Sequence, residues 1–143
     1  MRNVLIAFDG SDSSKRALQY VIDFAHTHNA TLEVHLINVQ HEAMLYGEYV
    51  NDEMITNIRQ SQLDKASDSL EWPLEQLKAG GIIGTKHVAL GNIAGQVSAA
   101  TKQLQCDTVV MGTRGLGTFT GLLLGSVATR VIHEVQVPVL LVK

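Results

Sequence analysis

Cysteine, proline and aromatic residues are scarce in this 143-residue chain: one Cys, two Pro and 5% Phe, Trp and Tyr. A lone thiol, Cys106, cannot close an internal disulfide, so no covalent staple supports the fold. It sits between Leu104 and a β-branched run, which predicts a buried, inert thiol rather than a reactive one. A block of basic charge is also missing. The eleven Lys and Arg residues are scattered and the net charge is −3, which argues against a nucleic-acid footprint. Apolar runs extend only a few residues, far short of the roughly 20 that span a bilayer. Met1 leads directly into Arg2-Asn3-Val4-Leu5-Ile6, without the basic region, apolar stretch and cleavage site of a secretory leader. These absences point to a cytoplasmic protein.

What is present describes a core-former. Apolar residues make up 45% of the chain and charged residues 17%. A chain of this length suits one domain, residues 1–143, and buries roughly two thirds of its unfolded surface. No linker, repeat or low-complexity tract interrupts it.

Short β-type runs alternate with helical patterns. Val4-Leu5-Ile6-Ala7-Phe8 is nearly all apolar, as a strand buried on both faces would be. Asp9 to Ser13 forms a turn cluster with helix N-cap candidates. Ala17, Leu18, Val21, Ile22 and Ala25 then recur at helical spacing. Leu32 to Val39 reads as the second strand and His41 to Val50 as an irregular loop. A long helical stretch is expected from Asp52 to Lys78, its stripe drawn by Ile55, Ile58, Leu63, Ala66, Leu70, Leu74 and Leu77. Pro73 predicts a kink or restart there, because it loses a hydrogen bond and clashes with the preceding turn. Thr85 to Leu90 is the third strand, and Ile93, Val97, Ala100 and Leu104 mark the next helix. Thr108 to Met111 is the fourth strand. A helix from Ser126 to about Val135 and a strand from Val137 to Val142 complete the series.

This βαβαβαβαβ order predicts an α/β fold: a doubly wound, five-stranded parallel sheet with helices on both faces. In such sheets ligands bind beyond the carboxyl ends of the strands, where strand order reverses. With the order 3-2-1-4-5, the loops after the first and fourth strands open into one crevice. Those are the two unusual loops of the chain. The second, from Gly112 to Ser126, packs five of the twelve glycines into a short segment behind an apolar strand. Such a loop presents backbone N–H groups to phosphate. Gly112 and Gly115 would allow the main chain close to ribose and phosphate, Ser126 and Val127 would offer N–H groups at a helix start, and Arg114 could pair with a phosphate. Asp9 would repel a bare phosphate. It suits ribose hydroxyls, an adenine amino group, or a metal accompanying the phosphates.

Competing motifs fit less well. Gly115-Leu116-Gly117 with Gly121 departs from the dinucleotide fingerprint in spacing and position, and no Lys stands between Gly125 and Ser126 as a P-loop needs. The histidines (His26, His28, His35, His41, His87 and His133) lack metal-ligand spacing and read as solvated or dipole-satisfying, so no metal site is expected. No nucleophile–base pair is evident, so no catalytic residue is expected. Ser11, Ser13 and Ser14 read as helix-capping residues.

Together these residues resemble the universal stress protein family over essentially the full length. The pattern G-x2-G-x9-G-[S/T] is met by Gly112-Thr113-Arg114-Gly115 followed, after nine residues, by Gly125-Ser126. The opening Val4 to Ser11 and the closing Val137 to Lys143 look like the family's first and last strands. The resemblance implies an ATP-binding member in which Ala7, Asp9 and Val39 contact the adenosine. Met111, Gly112, Arg114 and Gly115 would follow the ribose and phosphates, and Gly125, Ser126 and Val127 would close on the phosphate tail. It further implies ATP, or ADP or AMP, with Mg²⁺ or Mn²⁺, and a homodimer joined through the strand Val137 to Val142. The role implied is a nucleotide-binding switch in stress response. A slow ATPase or phosphotransferase and a nucleotide-free interaction dimer are the alternatives.

Overall fold

The computed structural model describes residues 1–44, 47, 50–117 and 124–143. Its elements run β1 (Asn3–Ala7), α1 (Asp12–Thr27), β2 (Glu33–Gln40), α2 (Asp52–Asp68), α3 (Glu71–Ala79), β3 (Gly84–Leu90), α4 (Ile93–Gln103), β4 (Thr108–Gly112), α5 (Ser126–Glu134) and β5 (Val139–Val142). The strands form one sheet in the order β3-β2-β1-β4-β5, and every pairing is parallel. The expected topology is thus the observed one.

Strand periodicity divides the core. Val4, Ile6, Val34, Leu36 and Val110 turn to one face and pack with Ala17, Leu18, Val21 and Ile22 of α1 and Leu77 of α3. Their alternates Leu5, Ile37, Val109 and Met111 pack with Ala94 and Val97 of α4 and Ala128 and Val131 of α5. Both faces of β1 and β4 are therefore dry, which is why these strands read as continuous apolar runs.

The expected long helix is two helices. It stops at Asp68 and restarts at Glu71, which puts Pro73 in the first turn of α3, where a missing N–H is least costly. The expected stripe also fades toward the amino end: Ala66 is the buried residue of α2, whereas Ile55 is exposed. β5 begins at Val139 rather than Val137, although Pro138 already contributes its carbonyl to Val109 N–H at 2.9 Å. Cys106 is buried as expected, and its thiol is pushed up to about 11 by burial and by the nearby Asp107 and Glu33 carboxylates. Among the described residues, no helix is long and apolar enough to cross a membrane.

Candidate functional site

The carboxyl ends of β1, β2 and β4 meet at the centre of the sheet. Ala7 is in register with Met111 on one side and Ile37 on the other, and Val39 lies two residues beyond Ile37. Ala7, Val39, Met111 and Val127 all pack in the apolar cluster on the α4–α5 face. Residues 104 positions apart in the chain are thereby gathered at one edge of the sheet, which local sequence could suggest only through topology.

Asp9 ties the two loops together. Its Oδ1 accepts the Ser11 N–H at 2.9 Å and its Oδ2 accepts the Leu116 N–H at 3.2 Å. Ser11 caps α1, accepting from Ser14 N–H, and acts as the cap expected of it. Ser13 does something else: its hydroxyl donates to the carbonyl of Arg114, so the start of α1 holds the backbone of the loop after β4. The loop closes through Gly125, whose N–H donates to Thr113 O at 2.7 Å, and α5 follows directly.

The space beside the two glycines is taken by the protein's own side chains. A Cβ on Gly112 would overlap the Ser13 hydroxyl, and one on Gly115 would lie 2.7 Å from Asp9 Oδ2. Neither glycine has positive φ. Their smallness serves close packing of the two loops, a role the sequence reading did not assign. Gly121 and the rest of residues 118–123 lie outside the described residues.

Gly125 provides no side-chain cap for α5, so the helix opens with the N–H groups of Ser126 and Val127 unsatisfied by a cap. Ser126 is exposed. The Arg114 side chain is exposed and has no carboxylate partner among the described residues. A cleft of about 550 Å³ lies between the start of α1, the segment 113–116 and Lys143. Arg114 and Gly115 line it together with Ser11, Ser13 and Arg16, but Ala7, Val39, Met111, Ser126 and Val127 do not. Among the described residues, the cleft and the apolar edge therefore have no lining residue in common. Ser13 and Arg16 belong to a helix whose sequence shows only capping and amphipathic signals, so nothing in it announces the cleft.

The fold agrees with what comparison with known proteins finds. A model described as the universal stress protein family matches residues 1–143. The chain belongs to that family. It is 31% identical over 143 residues to "Universal stress protein in QAH/OAS sulfhydrylase 3'region" of Thermus aquaticus, covering 99% of this chain and 98% of that one. The solved structure of hypothetical protein MJ0577 superposes with a TM-score of 0.83 at 25% identity, covering 99% of this chain and 95% of the other. A universal stress protein family member from Arabidopsis thaliana, solved with AMP bound, shares the fold at a TM-score of 0.71 and 21% identity, covering 100% and 92% of the two chains.

Elsewhere in this universal stress protein, one histidine departs from expectation. His35 is neither solvated nor at a helix end: it is 6% exposed, in the middle of β2, with Nδ1 2.6 Å from Thr85 Oγ1 and 3.2 Å from His87 Nε2. Periodicity explains the error, since a residue on a central strand is buried whatever its polarity. Burial, with the neighbouring His35 second, holds His87 below its ordinary value. His133 does lie in the last turn of α5, as expected. Among the described residues, no group of three or more His, Cys, Asp or Glu could hold a metal ion.

Proposed function

We propose that this universal stress protein binds an adenine nucleotide, ATP foremost, at the carboxyl edge of β1, β2 and β4. The observation that carries the reading is the juxtaposition of an apolar edge (Ala7, Val39, Met111, Val127) with the uncapped amino end of α5. Adenine is flat and largely apolar, and phosphate needs donors. In this reading the base rests against Val39 and Ala7, with Asp9 accepting from a ribose hydroxyl or the adenine amino group. The ribose and phosphates run along Met111, Gly112, Arg114 and Gly115, past the turn at Gly125, whose own N–H is held by Thr113 O, to the N–H groups of Ser126 and Val127. Two or three charge-assisted hydrogen bonds there, about 1.5–3 kcal/mol each, outweigh the helix dipole at roughly 0.3–2 kcal/mol. The AMP held by the Arabidopsis thaliana relative supports this class of ligand.

Asp9 is already engaged by two backbone N–H groups. A Mg²⁺ or Mn²⁺ ion would therefore depend on phosphate oxygens and water for most of its coordination. We also propose that two copies pair through β5, which is an edge strand with half-exposed apolar residues. Antiparallel pairing there would satisfy the free ladder groups of both copies by two-fold symmetry. The whole would serve as a cytoplasmic, nucleotide-dependent switch. ATP at about 100 times its dissociation constant should add roughly 2.7 kcal/mol of stability, read as a raised melting temperature. No shift with ATP, ADP or AMP would refute the reading.

A further inference from the structure

We propose that His35, Thr85 and His87 form a proton-operated clasp between β2 and the edge strand β3: one proton is held between the two imidazoles, and a second releases β3. Thr85 and His87 share the face of β3 that matches the His35 face of β2, by strand alternation. Register sets Thr85 opposite His35 and His87 opposite Ile37. Three polar atoms meet there: His35 Nδ1 is 2.6 Å from Thr85 Oγ1 and 3.2 Å from His87 Nε2, which lies 3.2 Å from Thr85 Oγ1. With both rings neutral the network closes. His35 carries its proton on Nε2, 3.5 Å from Glu33 Oε1, its Nδ1 accepts the Thr85 hydroxyl, and His87 Nε2–H donates to Thr85 Oγ1. A first added proton is shared, with His35 Nδ1–H donating to His87 Nε2. A second turns both facing ring nitrogens into donors and sets two positive charges on rings whose centres are 5.2 Å apart.

What gives way is β3. It has one strand neighbour, and none of its residues is fully buried, so it belongs to the part of the sheet that opens most easily. The surrounding charges do not neutralise a doubly protonated pair. Glu33 faces His35 but is exposed, so solvent screens it. β1 sets Leu5 beside His35, α4 packs over this face with a single charged residue, Lys102, and the Cys106 thiol, which feels Glu33, is held neutral by its raised value. The Lys86–Glu71 pair lies on the opposite face, where Leu70 and Leu77 pack. Burial, then the neighbouring His35, already hold His87 below its ordinary value, so an opened edge takes up protons more readily than a closed one. Stability is therefore present above the ordinary histidine value and lost as pH falls through the lowered one. The β1–β2 ladder ends at Ile37, whereas β3 pairs with β2 as far as Gln40, so Val39 takes its strand pairing from Ala89. On the nucleotide reading, from which this one consequence follows, release of β3 would loosen the support of the base.

The test is amide hydrogen exchange of the full, nucleotide-free chain from about pH 7.5 to about pH 5, a range that brackets the ordinary histidine value. Protection of the β3 ladder, corrected for the intrinsic pH dependence of exchange, should fall by up to about tenfold per pH unit while β1 and β4 stay protected. His87→Leu should keep β3 protected throughout. Should that variant not fold, the imidazole resonances of the unaltered chain decide: the two rings must titrate as a coupled pair, each reporting the other's step. Protection of β3 that is constant with pH, acid release that survives His87→Leu, or rings that titrate independently would overturn the clasp. With no nucleotide present, none of these results bears on whether one binds. The link to Val39 is read separately, as the AMP affinity of His87→Leu relative to the unaltered chain, which should rise as pH falls; a constant ratio would break that link.

Discussion

Gly115→Ala isolates the contact that joins the two loops of the site. The added methyl would sit 2.7 Å from Asp9 Oδ2, about 0.7 Å inside ordinary contact. The carboxylate must swing away, and the 3.2 Å hydrogen bond from Leu116 N–H goes with it. A hydrogen bond to a charged group contributes about 1.5–3 kcal/mol. Asp9 is only half-buried, so water replaces part of this and about 1–2 kcal/mol is the expected loss. For a chain of this size that lowers the melting temperature by roughly 3–8 °C. Gly117→Ala is the control, because among the described residues nothing lies within 4 Å of a Cβ there. Both variants share the unfolded-state gain of replacing glycine, so the difference between them reports the collision. In an Asp9→Ala background the cost of Gly115→Ala should vanish, a coupling measured by the double-mutant cycle. Equal stability of the two glycine variants, or additivity in the cycle, would refute the reasoning.

Gly112→Ala should be worse than Gly115→Ala, at about 2–3 kcal/mol by thermal unfolding, because the new methyl meets backbone as well as hydroxyl, with Ser13 C only 2.9 Å away. Burial alone would raise the Asp107 carboxyl, but hydrogen bonds from Thr108 and from the backbone N–H groups of Asn3 and Arg2, with the amino terminus, outweigh it and hold the group below 3.8. The stability this brings is present above the unfolded value and lost as pH falls through the folded one, so Asp107→Asn should flatten the acid limb of a stability–pH profile. Cys106, with its thiol at about 11, should resist an aromatic disulfide reagent at pH 8 until the chain is unfolded, at which point one equivalent reacts.

The parts of the fold that were legible beforehand are those where local pattern and global packing agree. β1 and β4 are buried on both faces and announce themselves as unbroken apolar runs, and α1 carries its stripe at helical spacing. α2 misled because its apolar residues face solvent for much of its length, so periodicity overstated its burial. Pro73 marked the break, but the break itself fell earlier, since proline fits the first turn of the new helix. The site's two loops were readable through topology. The partner of each glycine was not, because Ser13 against Gly112 and Asp9 against Gly115 are contacts across about a hundred residues of chain. His35 was unreadable for a related reason: strand register alone brings it to Thr85 and His87.

The most direct measurement is the amide spectrum of the isotope-labelled chain during titration with ATP. Saturable shifts should concentrate at Ala7 to Asp9, Val39, Met111 to Gly115 and Gly125 to Val127. Shifts confined to Ser11, Ser13, Arg16 and Lys143 would move the ligand into the cleft beside α1, and a spectrum that does not change would contradict nucleotide binding outright.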